Sequence, residues 1–251
     1  MENKKIIYYK QLDSTNAKIQ ELAAQGAKHG TVVVAEEQTA GKGRRGRNWE
    51  SPAGDNIYMS VLLRPEIAPE KAPMLTLVMA YSVTKAIQMQ GVDGVQIKWP
   101  NDLVLSGKKI CGILTEMNLS GRDIDHVVVG VGVNVNTTEF SKELSEKATS
   151  LYLECGKKIS KRKLTGAIVA HFEKDYEAFL ETEDLSFLRE TYNCLLINRE
   201  KEVRVLEPGH EYTAFAKGIN ERGELLVRTE DGEEKTIFAG EVSVRGVYGY
   251  I

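Results

Sequence analysis

Gly41-Lys42-Gly43-Arg44-Arg45-Gly46-Arg47 is the stretch on which the fold turns. Its glycines formally satisfy G-x-G-x-x-G, and it follows an apolar run at 31–37 that reads as a buried strand. Those are two signs of a dinucleotide-binding βαβ unit. That unit also needs a helix to begin inside the motif, so that its N-terminus meets the pyrophosphate. Here the chain continues Asn48-Trp49-Glu50-Ser51-Pro52-Ala53-Gly54, which is poor helix material. The dinucleotide reading fails. Four cations and three glycines in seven residues suit an anion clamp instead. Glycine lets the backbone close over a ligand, and arginine grips carboxylate and phosphate oxygens in bidentate fashion. Such a loop can hold a substrate carboxylate beside a nucleotide phosphate, and like charges this dense should keep it mobile until an anion arrives. A solvated basic loop and a weak nucleic-acid patch remain as alternatives for this segment taken alone.

Outward from the loop, residues 5–10 read as a strand, and Asp13-Ser14-Thr15-Asn16 offers cap-type side chains before a helix that Gly26 stops. Residues 57–63 form a strand, and 70–90 a long helix with Leu75, Val78, Met79 and Val83 on one face. Strands follow at 95–99, 102–105, 109–117 and 124–131, then helices at 161–181 and 184–191. After about residue 197 the pattern changes to short strands at 202–206, 212–219, 224–229, 234–238 and 242–245, punctuated by Pro208-Gly209, Gly223 and Asp231-Gly232. The expectation is α+β over 1–195, then a small all-β barrel over 196–251, joined by a linker near Asn193 to Asn198.

Composition bounds the function. The chain has 251 residues, 42% hydrophobic and 27% charged, with a net charge of −3. It lacks the basic excess of a nucleic-acid binder. No stretch approaches a bilayer span, and no signal peptide is evident at the N-terminus. Three widely spaced cysteines suit neither a disulfide framework nor a zinc site, and a reduced cytoplasmic setting fits them. The four histidines form no cluster.

Four further segments join the basic loop: Asp13-Ser14-Thr15-Asn16; Lys98-Trp99-Pro100-Asn101-Asp102-Leu103; Lys108-Lys109-Ile110-Cys111-Gly112-Ile113-Leu114; and Gly130-Val131-Gly132-Val133-Asn134-Val135-Asn136. In order and spacing the five resemble the biotin protein ligases, strongly over residues 7–136 and only by architecture beyond. The resemblance implies a mixed β-sheet flanked by helices, the class II synthetase-like biotin/lipoate ligase catalytic domain, followed by an SH3-like β-barrel. It implies formation of biotinyl-5′-AMP from biotin and ATP, with Mg2+, and transfer of biotin to a lysine of a biotin carboxyl carrier protein or carrier domain of a carboxylase.

The same resemblance distributes roles. Ser14, Thr15, Asn16 and Gln38 are expected at the ureido ring, whose donors and acceptors suit hydroxyl and amide side chains. For the first three, helix capping is the plain alternative. Gly41, Lys42, Gly43 and Arg44 are expected along biotin, with Gly112 and Gly130 leaving it room. Many relatives have Arg where Lys42 stands. Arg47, Lys98 and Asn101 are expected near the ATP phosphates or metal, Trp49 over the adenine and Asn134 against it. Lys109 is expected to touch both biotin and the α-phosphate, with Arg44 beside it and Asp102 near the incoming lysine. Lys108 reads as a solvated turn residue and Cys111 as a buried strand residue. No metal ligands are identifiable. A DNA partner is not expected, because the pocket motif begins by residue 14 and leaves no room for a helix-turn-helix. Relatives often dimerise, which leaves a homodimer open. A lipoate ligase is the nearest enzyme alternative.

Overall fold

The computed structural model describes residues 6–207, 210–239 and 243–246. Strands β1 (Ile6–Tyr9), β2 (Val32–Ala35), β3 (Ile57–Leu63), β4 (Gln96–Lys98), β5 (Asp102–Leu105), β6 (Lys108–Ser120) and β7 (Asp123–Val133) build one mixed sheet. Its order is β1-β2-β3-β7-β6-β5-β4. Only β1 and β2 run parallel; every other pair is antiparallel.

Alternation of side chains along the strands assigns the two faces. Val33, Leu62 and Val128 turn to one face and pack on Ile19 and Ala23 of α1 (Thr15–Ala24). Val32, Val34, Val61, Val127 and Val129 turn to the other and join the main core. There lies α2 (Met74–Gln88), covered in turn by α4 (Lys161–Thr182). Sandwiched between sheet and helix, α2 buries residues all round its circumference, and Leu75, Val78, Met79 and Val83 are fully buried as the periodicity requires. It starts later than residue 70. Pro73 has no N–H to bond a carbonyl one turn back, so Pro69–Lys71 forms a separate 3-10 turn and the α-helix begins at Met74.

A short helix, α3 (Leu151–Cys155), has no counterpart in the sequence expectations. The Ser150 hydroxyl accepts from the Leu153 N–H at 3.1 Å, and Gly156 ends the helix at φ 69°. Ser and Gly as its caps were the legible signal, but five residues are too few for a period.

The C-terminal strands β8 (Lys201–Glu207), β9 (His210–Ile219), β10 (Leu225–Thr229), β11 (Glu234–Ile237) and β12 (Ser243–Gly246) form a separate antiparallel sheet, ordered β11-β10-β9-β8-β12. The turn at Pro208-Gly209 lies outside the described residues. The expected linker is replaced by packed structure. Helix α5 (Arg189–Leu195) fills its first half, and Asn193 exchanges two hydrogen bonds with Ile219 across 2.7 and 3.2 Å. The Asn198 side chain accepts from the Trp99 N–H, and the Trp99 indole N–H donates to the Gly223 carbonyl at 2.9 Å. One apolar cluster therefore runs from β2 through α2 and Trp99 into Val203, Ala216 and Val227. No helix among the described residues is long and apolar enough to cross a membrane.

Candidate active site

A cleft opens on the α1 face of the large sheet. The cause is a loss of side chains along β7: Val128 faces α1, and the next two residues on that face are Gly130 and Gly132. Gly132 pairs with Gly112 on β6, so two neighbouring strands are bare at the same level. Both glycines are obligatory for what lies above them. A Cβ on Gly132 would sit 2.6 Å from the Trp49 indole, and one on Gly130 only 2.0 Å from Asn16 Oδ1.

The N-terminus of α1 forms one wall. Ser14 occupies the N-cap position with extended backbone, as expected, yet its hydroxyl makes no capping bond. The Thr15 N–H is met instead by Gln38 Oε1 at 2.8 Å, from a loop 23 residues away. Gln38 in turn donates to the Ser51 hydroxyl at 2.9 Å. Capping thus does not occupy Ser14. Ser14, Thr15, Asn16 and Gln38 line one chamber together, although all but Gln38 are themselves buried.

The basic loop lies across this chamber as a small hairpin. Trp49 N–H donates to the Gly41 carbonyl at 2.9 Å and Gly43 N–H to the Arg47 carbonyl at 2.7 Å. Arg45, at φ 57°, and Gly46, at φ 71°, turn its tip in left-handed conformation. A Cβ at Gly41 would meet the Trp49 carbonyl at 2.5 Å, so Gly41 serves the closure of the hairpin and is not on the chamber wall. Lys42, Gly43, Arg44 and Trp49 are on it. The Arg44 guanidinium donates to Asn101 Oδ1 at 3.1 Å and to the Ala239 carbonyl of the C-terminal region. Burial lowers the Arg44 pKa from its ordinary value. Arg45 and Arg47 push the same way, and only Asp102 opposes them.

A second chamber adjoins the first. Arg47, Lys98 and Asp102 line it, and it shares Gly43, Arg44, Trp49, Asn101 and Lys109 with the first. Lys98 and Asp102 are register partners on β4 and β5, which brings both to one edge. Lys109 stands between the chambers. Its ammonium is 2.7 Å from Asp102 Oδ1 and 5.1 Å from the centre of the Trp49 ring. The Trp49 indole nitrogen is buried without a hydrogen-bond partner. Lys108, one residue earlier, reaches the Ser145 carbonyl in an exposed contact, as its reading as a solvated residue anticipates.

Asn134 lines neither chamber. It is buried at the end of β7, and its amide donates to the Thr149 carbonyl at 3.1 Å. Cys111 is fully buried, and desolvation pushes its thiol far above the ordinary range, so it is no nucleophile. Among the described residues no three His, Cys, Asp or Glu side chains converge as metal ligands. Sequence reasoning missed Gly132, Ser60, Ser51 and Glu116. Gly132 was findable, because it shares the strand face of Gly130. The other three reach the site through contacts 13 to 100 residues away in sequence.

Arg44 and Lys109, two cations, thus stand where a chamber with a neutral polar end at Ser14, Thr15, Asn16 and Gln38 meets a more basic one. Residues 8–134 match the Biotin/lipoate A/B protein ligase family, and residues 200–245 match the Biotin protein ligase C terminal domain. A bifunctional ligase/repressor BirA of Bacillus subtilis is 37% identical over 243 residues, covering 95% of this chain and 74% of that protein. A biotin–[acetyl-CoA-carboxylase] ligase of Paracoccus denitrificans is 31% identical, covering 93% and 98%. The structure of the biotin protein ligase of Aquifex aeolicus in complex with biotin and ATP superposes with a TM-score of 0.83 at 30% identity, covering 96% of this chain and 99% of that one.

Proposed function

This chain belongs to the biotin protein ligase family and is a ligase, and from that premise we propose that it joins biotin and ATP into biotinyl-5′-AMP and then biotinylates a lysine of a carboxylase carrier domain. One observation carries the reading: the two chambers share Arg44 and Lys109. Adenylation of a carboxylic acid needs a carboxylate and an α-phosphate side by side, with cations at their junction.

In the first step a biotin carboxylate oxygen forms a bond to the α-phosphorus, and the bond from that phosphorus to pyrophosphate breaks. Ser14, Thr15, Asn16 and Gln38 hold the neutral ureido ring. Lys42, Gly43 and Gly112 border the rest of biotin. Arg44 and Lys109 bridge carboxylate and α-phosphate, where charge grows during attack. Arg47, Lys98 and Asn101 take the remaining phosphates. The Trp49 ring covers the nucleotide base. Asn134 joins that contact only if its amide releases Thr149. In the second step the neutral acceptor amine attacks the acyl carbon, AMP leaves, and the amine gives up a proton. Asp102, paired with the Lys109 ammonium at 2.7 Å, is the carboxylate beside this point. Positioning and electrostatics carry both steps.

Magnesium fits the second chamber as a companion of the phosphates. Asn101 and Asp102 supply oxygen donors there, and magnesium commonly uses one or two protein oxygens with phosphate and water for the rest. When bound it neutralises the departing pyrophosphate. The cysteines Cys111, Cys155 and Cys194 are all free, which suits work in a reducing cytoplasm.

The deciding experiment incubates a carrier domain with the protein, biotin and Mg-ATP and weighs the product. A mass gain equal to one biotinyl group on one lysine is expected. Lipoate in place of biotin forms the second arm. Labelling with lipoate and not with biotin would overturn the reading.

A further inference from the structure

Behind the neutral side chains Ser14, Thr15, Asn16 and Gln38 stands an acidic residue that the proposed mechanism does not use. Glu116 lies on β6 opposite Val128, on the α1 face of the sheet. Its Oε2 accepts from Asn16 Nδ2 at 2.7 Å and from Gln20 Nε2 at 3.3 Å. On the other side of the same amide, Asn16 Oδ1 accepts from the Ser60 hydroxyl at 2.6 Å. Ser60 is fully buried and is also 2.7 Å from Thr15 Oγ1.

We infer that Glu116 is a positioning residue that sets the donor and acceptor polarity of the ureido pocket through Asn16. This rests on the reading that the cleft takes biotin. A side-chain amide is nearly the same shape in its two orientations, so its environment must choose between them. An ionised carboxylate only accepts. Glu116, helped by the Leu114 carbonyl at 3.3 Å, therefore turns Nδ2 toward β6 and Oδ1 toward Ser60. Oδ1 only accepts, so the single Ser60 hydrogen goes to it. The Thr15 hydroxyl donates to Gln38 Oε1 at 3.1 Å, so its own hydrogen is spent as well. The consequence reaches the chamber: Asn16 Oδ1 and Thr15 Oγ1 keep lone pairs only, matched to the two N–H groups of a ureido ring. Ser14, whose hydroxyl caps nothing, retains a donor for the ring carbonyl. A neutral amide at position 116 can donate to Asn16 Oδ1, flip it, and turn donors against donors.

The test is a double-mutant cycle read by calorimetric titration of the full-length protein with biotin. Glu116→Gln is expected to weaken biotin about tenfold, the scale of one hydrogen-bond reversal. Asn16→Ala should weaken it further, and the double variant should be no weaker than Asn16→Ala alone. Adenylate formation at saturating biotin should fall much less than affinity in Glu116→Gln. Thermal unfolding monitors the fold. If Glu116→Gln does not fold, Glu116→Ala runs the same cycle. Biotin affinity within about twofold of the parent, or effects that multiply in the double variant as for independent sites, overturns the inference while leaving biotin as the ligand. A parent chain that binds no biotin overturns both.

Discussion

The floor of the cleft and the loop that covers it hold their ligand-facing groups in opposite ways. On the floor, Ser14, Thr15, Asn16 and Ser60 are neutral and buried, and Ser60 is hydrogen-bonded to both Thr15 and Asn16. Over it, Arg45 and Arg47 are charged and exposed on a hairpin closed by two backbone bonds to Gly41 and Arg47. The difference follows from what each meets. A neutral ring offers little long-range attraction, so selectivity must come from buried groups that cost free energy when left unpaired. An anion attracts from a distance, and exposed arginines need only be near when it arrives. On the proposed function, specificity is assigned to the buried floor and retention of the adenylate to the loop.

The sharpest test of that division falls on the residue between the two regions. Lys109→Ala should slow adenylate formation about a hundredfold to a thousandfold, the usual cost of removing a donor from growing charge, with biotin affinity only moderately lower. Single-turnover pyrophosphate release beside calorimetric affinity reads both. Near-normal release would remove Lys109 from the chemistry. A large loss of affinity with normal release at saturation would move it to the floor's side of the comparison.

Arg44→Gly comes next. It should leave the fold intact and weaken retention of the adenylate by about 1.5–3 kcal/mol, so that activated biotin escapes and labels bystander lysines. A variant that holds the adenylate as tightly as the parent would show that the loop does not retain it. On the floor, Gly130→Ala inserts a Cβ 2.0 Å from Asn16 Oδ1. Overpacking of this kind costs about 1–3 kcal/mol, and the displaced Asn16 should also lose biotin. Chemical denaturation and calorimetry should fall together. A loss in stability with unchanged affinity would mean that Asn16 does not face the ring.

Ser14→Ala should have the smallest effect on the fold. A working N-cap costs about 1 kcal/mol when removed, but the Ser14 hydroxyl makes no such bond. Stability within about 0.5 kcal/mol of the parent is expected, with weaker biotin binding. A full capping loss with unchanged binding would restore the plain helix-start reading of this residue.

Local patterns made much of the molecule legible. The 3.6-residue and two-residue periods located α2 and the strands, and the failure of Asn48–Gly54 as a helix was enough to remove the dinucleotide fold. The residues expected at biotin and ATP do gather in two adjoining chambers, apart from Gly41 and Asn134. Those two failed to line the chambers for a common reason. Position within a motif says that a residue is near a site, but not which way its backbone or side chain turns. The linker near Asn193 failed differently, because a change from helical to β pattern marks a change of sheet and says nothing of the packing across it.

The sequence by itself determined the order of elements, the basic loop, and the start of α1 at a run of cap-type residues. Each rests on neighbours along the chain, where backbone period and residue preference act directly. Tertiary structure alone decided that Gln38 would meet the α1 backbone in place of Ser14, that Arg44 would reach a carbonyl 195 residues away, and that Glu116 would orient Asn16 across 100 residues. A buried polar group must find a partner, but which partner depends on the strands and loops that the fold stacks beside it.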